Sequence, residues 1–192
     1  MDSNLTDKQS LDSLKKGSQD NNLITLSNGV VLRGKMVPPL VYVTVMGAFP
    51  RPKPPEWKDP NLGRMVDNPD DPYYLERVAS VENEKNSAIL NVMIVYGTEA
   101  ADIPSHVSSP FIEYKKIGNK EEKIEPSWFK RYRLLGLPTF EDDRDWMYLT
   151  WIKSEVATTK HDLELIQKVV GRLSGVPEKD VQAAESFPGR NP

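Results

Sequence analysis

The stretch from Met36 to Tyr74, MVPPLVYVTVMGAFPRPKPPEWKDPNLGRMVDNPDDPYY, holds nine of the chain's sixteen prolines. Proline locks φ and removes a backbone donor, so no single helix or strand can run through this region. The spacing predicts a helix opened by Pro38-Pro39, a stiff extended arm, and a second helix opened by Asp71-Pro72. Leu40, Val43, Val45, Met46 and Phe49 recur at roughly helical spacing. The run Val41 to Val45 is rich in β-branched residues and also reads as a strand, but the proline start and Gly47 favour helix. Phe49 to Pro60 predicts an extended, polyproline-like arm. Its PxxP pattern, Pro52 to Pro55, has the form of a ligand for aromatic-lined grooves; the plainer reading is an arm wrapping its own domain or a neighbour, anchored by Trp57.

On either side of this stretch the signals are simpler. Met1 to Asn22 is polar and reads as a disordered or frayed tail. Leu23 to Leu26 and Val30 to Val37 flank Ser27-Asn28-Gly29, a strong hairpin signal because Asn and Gly tolerate positive φ. A lone hairpin is marginal in water, so it must pack on a helix or pair with another chain. Asp71 and Pro72 open a helix of about 25 residues, with apolar positions from Leu75 to Tyr96 and Gly97 as its stop. Residues 99–127 read as an irregular loop region. Pro126 then opens a short helix, Ser127 to Leu135, stopped by Gly136 and Pro138. Further helices are expected from Asp143 to Val156, from Thr159 (whose spacing to Asp162 resembles a capping box) to Gly175, and from Val176 to Phe187. Residues 188–192 are expected to be loose. Together these signals predict a fold mainly α with a small N-terminal β-hairpin: a small helical domain with a proline-rich extended arm. Residues 23–98 form its first part and residues 128–187 pack on the same core.

The chemistry-bearing residues are few. The chain has no cysteine, which excludes disulfides, thiolate metal sites and Cys nucleophiles. His106 and His161 fall in no ligand pattern, and no phosphate loop, nucleophile elbow or dinucleotide glycine motif occurs. Trp128 to Arg133 mixes bases with aromatics, as a nucleic-acid face does, but a net charge of −3 favours an amphipathic helix with packed aromatics. The acidic run Glu141-Asp142-Asp143-Arg144-Asp145 is what a helix N-terminus attracts through its dipole, more simply than a metal site. No apolar run is long enough to span a bilayer, and the N-terminus lacks a signal-peptide pattern. No enzyme activity, metal, cofactor, nucleic-acid or membrane partner is expected.

An ordered set of short motifs carries a resemblance. V-V-L-x-x-K-x-V-P-P-L (Val30 to Leu40) is followed by F-P-x-P-x-P-P (Phe49 to Pro55), G-R (Gly63-Arg64) and N-P-x-D-P-x-Y-L (Asn68 to Leu75). A helix ending Y-G-T (Tyr96 to Thr98) comes next, then L-S-G-V-P-E-x-x-V-x-x-A-x-x-x-F (Leu173 to Phe187). This set resembles the small tail assembly proteins, or tail assembly chaperones, of long-tailed phages and prophages. The resemblance implies a non-enzymatic protein of the bacterial host cytoplasm, absent from the mature virion. It would bind the tape-measure protein or other tail proteins, and self-association is compatible with that role. Leu40, Phe49, Trp57 and Tyr74 are the expected partner-binding residues. A virion structural subunit, such as a tail completion or connector protein, is the nearest alternative, and an uncharacterised small enzyme the next.

Overall fold

The computed structural model describes residues 22–175 apart from Leu62 and Asn119. The expected N-terminal tail and the helix from Val176 to Phe187 lie outside the described residues. Within them the chain divides into two compact units, residues 38–92 and the flanking segments up to Val37 and from Met93 onward.

The flanking unit starts with the predicted hairpin. Strand β1 (Leu23–Thr25) pairs antiparallel with β2 (Val31–Gly34), with Ile24 opposite Leu32. The turn is tied by the Leu26 N–H donating to the Val30 carbonyl at 2.9 Å, and Gly29 alone takes positive φ, +85°. Asn28 keeps negative φ, so this is a three-residue loop with glycine at its left-handed position. Strand β5 (Thr98–Asp102) adds to the other side of β2, giving the order β1-β2-β5. A β-bulge lies where Val31 faces Asp102 and Leu32 faces Ala100. Ile24, Leu26, Val30 and Leu32 all turn into the core.

Helix α5 (Lys160–Leu173) closes over this sheet, with Ile166 and Val170 fully buried. Gly97 allows the approach: a Cβ built there would sit 2.4 Å from Cγ1 of Val170. Helix α3 (Ser127–Leu134) starts after Pro126 and stops before Gly136, which takes φ of +68°. Helix α4 (Arg144–Trp151) is capped by Asp143, whose side chain accepts from the Trp146 N–H at 2.9 Å. It runs into a π-helical turn, Ile152–Val156, closed by the Ala157 N–H donating to the Ile152 carbonyl at 2.7 Å. The stretch expected as one helix from Asp143 to Val156 therefore widens in its last turn. The hairpin β6 (Glu113–Ile117) and β7 (Lys120–Ile124) leaves every described residue exposed.

The unit of residues 38–92 contains helix α1 (Pro39–Gly47), a hairpin of β3 (Glu56–Lys58) with β4 (Met65–Asp67), and most of helix α2 (Pro72–Gly97). Residues 40–46 are therefore helical, as the proline start favoured. Helix α2 is continuous through its polar middle, Glu82 to Asn86. Asp71 caps it by accepting from the Tyr74 N–H at 2.9 Å.

The expected fold class needs correction. Among the described residues 46% are helical and 18% strand, with five helices and three small sheets, a mixed α/β fold rather than a mainly α fold with one hairpin. Three features were missing from the sequence reading. The arm does not stay unpaired past Pro55: Trp57 pairs with Val66 in β3–β4. Residues 113–124, read as loop, form β6–β7. Thr98 to Asp102 has poor strand composition and is a strand because β2 offers it a free edge.

Candidate interaction surfaces

The buried polar groups act as fasteners. Asp162 is fully buried and accepts from the N–H and hydroxyl of Ser27, at 2.8 and 2.7 Å, and from the N–H and hydroxyl of Thr159, at 3.0 and 2.9 Å. Burial works against its charge, but the Ser27 and Thr159 hydrogen bonds outweigh that and hold its carboxyl below the usual range. The capping box read from Thr159 and Asp162 is present, and it also clamps the β1–β2 turn. His106 donates from Nε2 to the Asn28 carbonyl at 3.1 Å, bracing the same turn. Ser27, Asp162 and His106 thus gather around one turn, where Ser27 donates to the carboxylate and the imidazole is spent on backbone. That arrangement secures a loop and activates no nucleophile.

The basic-aromatic helix α3 resolves in the same way. Trp128 and Phe129 are buried, Arg131 pairs with Glu155, and Arg133 reaches Glu125 at 2.9 Å. The acidic run spends Asp143 on the α4 cap and Glu141 on Lys123. Among the described residues no group of three or more His, Asp or Glu side chains is placed to hold a metal ion, and no helix is long and apolar enough to cross a membrane.

The four expected partner-binding residues all lie in the unit of residues 38–92, in different environments. Leu40 is 74% exposed and Trp57 is 48% exposed. Phe49 is half-buried, and Tyr74 is buried. Leu40 and Trp57 therefore offer surface, while Tyr74 serves packing. The remainder of the exposed apolar surface becomes visible only with the fold. Val43 and Met46 extend the Leu40 face of α1, and Met65 stands out from β4. A helix apolar on all faces is ordinarily buried, yet α1 turns only Tyr42 fully inward. Tyr42 and Tyr74 are the two buried hydrophobic side chains of this unit among the described residues.

No family model, curated protein or solved structure matches the chain.

A second apolar surface belongs to the other unit. Leu134 is 86% exposed and Leu135 73%, and Leu137 and Phe140 are exposed beside them. The following residues, Thr139 to Asp145, line a concavity of about 710 Å³. The sequence reading found the α3 stop at Gly136 but gave Leu134 to Phe140 no role. The signal was available, in four large apolar residues gathered around a glycine and a proline where a chain normally turns polar.

Proposed function

We propose that the protein is a non-enzymatic phage tail assembly chaperone that binds the tape-measure protein through the unit of residues 38–92. The observation that carries this reading is the uncharged helix α1, with Leu40, Val43 and Met46 exposed, in the same unit as the exposed Trp57. An exposed apolar helix face of this kind is characteristic of a protein-binding site. An amphipathic client helix would lay its apolar side along Leu40, Val43 and Met46, with Phe49 and Trp57 as flanking anchors. The ordered motifs of the proline-rich stretch support the same assignment, and the polar clusters are accounted for as caps and clamps.

Co-purification with the tape-measure protein tests the proposal. The wild-type chain should retain the client, and Trp57→Ala combined with Leu40→Asp should lose most of it. Retention unchanged by both substitutions would remove the proposal. Mass spectrometry of purified particles separates chaperone from virion subunit, since a chaperone is absent from finished particles.

A further inference from the structure

We infer that the protein associates head-to-tail with itself, the α1 face and arm of one copy docking on residues 134–145 of the next. The two surfaces carry the same order of chemistry with opposite charge. From Met36 to Pro50 the chain has no charged residue, and Leu40, Val43 and Met46 are exposed. Arg51 and Lys53 follow, both exposed, alternating with half-buried Pro52 and Pro54. Pro52 and Pro54 thus turn inward and the two cations outward.

On the other unit, Leu134 to Phe140 is likewise uncharged, with Leu134, Leu135, Leu137 and Phe140 exposed. It leads directly into the concavity lined by Asp142 and Asp145, both exposed. Among the described residues none of Arg51, Lys53, Asp142 and Asp145 takes part in an ion pair. The one cation of the acidic segment, Arg144, lies over the Phe111 ring, 4.1 Å from its centroid. Laying α1 along the leucines brings two free cations to two free carboxylates. Pairing α1 with α1 of another copy supplies no counter-charge, so the occupant is the other surface of a second copy. An interface between two different patches is heterologous and propagates into a ring or a filament. It also keeps α1 out of water until a client arrives. That competition rests on the chaperone reading, whereas the self-association does not.

Sedimentation of the full-length chain over a wide concentration range tests the inference. The average mass should rise with concentration. The double substitutions R51E/K53E and D142K/D145K should each weaken association by about tenfold or more, because each sets like charges against one another. An equimolar mixture of the two variants should associate again, since each then carries the complement of the other. Leu135→Ser, placed on the exposed leucines, should weaken association without touching the charges. A wild-type chain that stays monomeric throughout overturns the inference. So does loss on R51E/K53E with no effect of D142K/D145K, which would indicate α1 meeting α1. A chain that self-associates as described yet ignores the tape-measure protein overturns the chaperone reading alone.

Discussion

Trp128 and Trp151 donate their indole N–H groups to consecutive carbonyls, Ser109 at 3.1 Å and Ser108 at 2.8 Å. Both side chains are fully buried, and they come from different helices, α3 and α4. Two large aromatics thus pin one loop to the core, and the loop satisfies the only donor each ring carries. The hydroxyl of Ser127 adds a bond to the Ser108 hydroxyl at 3.0 Å.

Removing one indole N–H while keeping an aromatic ring should expose the value of this pinning. Trp151→Phe leaves the Ser108 carbonyl without its partner and shrinks a packed side chain. The expected cost is about 1–3 kcal/mol from the lost bond, with a further contribution from the smaller ring. Urea denaturation measures the total. Amide exchange in residues 103–111 should rise selectively if the loop is held as described.

Asp162 should make stability fall in acid. Its carboxyl is held below the usual range in the folded chain, so its contribution is fully present above the ordinary value near about 3.9. It is lost as pH falls through the depressed folded value. Asp162→Ala leaves the Ser27 and Thr159 donors unpaired. It should cost about 1.5–3 kcal/mol at neutral pH, the range for hydrogen bonds to a charged group. The difference between wild type and variant should narrow toward low pH. A gap that stays constant with pH would contradict this account.

Tyr148 predicts the opposite limb. Burial pushes its phenol up to about 12, with the Thr98 hydrogen bond opposing and the Glu99 charge reinforcing. A raised folded value stabilises the chain below the ordinary value near about 10, and the benefit drains away as pH climbs from there to the folded value. Tyr148→Phe should flatten that alkaline decline. At neutral pH it should cost no more than about 1.5 kcal/mol, because Thr98 keeps its bond to the Ile94 carbonyl at 2.7 Å.

Gly97→Ala should destabilise by about 1–3 kcal/mol, the range for forcing a methyl into a packed core. The clash is with Cγ1 of Val170, so Val170→Ala in the same chain should recover part of the loss. Thermal melts of the two single variants and the double variant form the cycle that decides it. Additive losses would mean that the close approach of α2 to α5 is not the cause.

Much of the helical framework was legible in the chain because helix starts are decided locally. Pro38, Asp71 and Thr159 each begin a helix where the sequence reading placed one, and the length of α2 followed from Pro72 and Gly97. A fixed φ or a side chain reaching an N–H a few residues ahead requires nothing from the rest of the protein. The candidate surface was half legible. Leu40 and Trp57 stand exposed and Tyr74 is buried, a difference that nothing local marks, whereas the apolar residues gathered around Gly136 and Pro138 did carry a signal for Leu134 and Leu135.

By itself, then, the sequence determined where helices begin, that the proline-rich stretch could not be one element, and that a hairpin turns at Gly29. Tertiary structure alone decided that Thr98 to Asp102 is a strand, that Asp162 locks the Ser27 turn, and that the α1 face stays exposed. The reason is separation along the chain. Ser27 and Asp162 are 135 residues apart, and a strand edge accepts a partner by backbone geometry, which leaves little trace in the side chains of that partner.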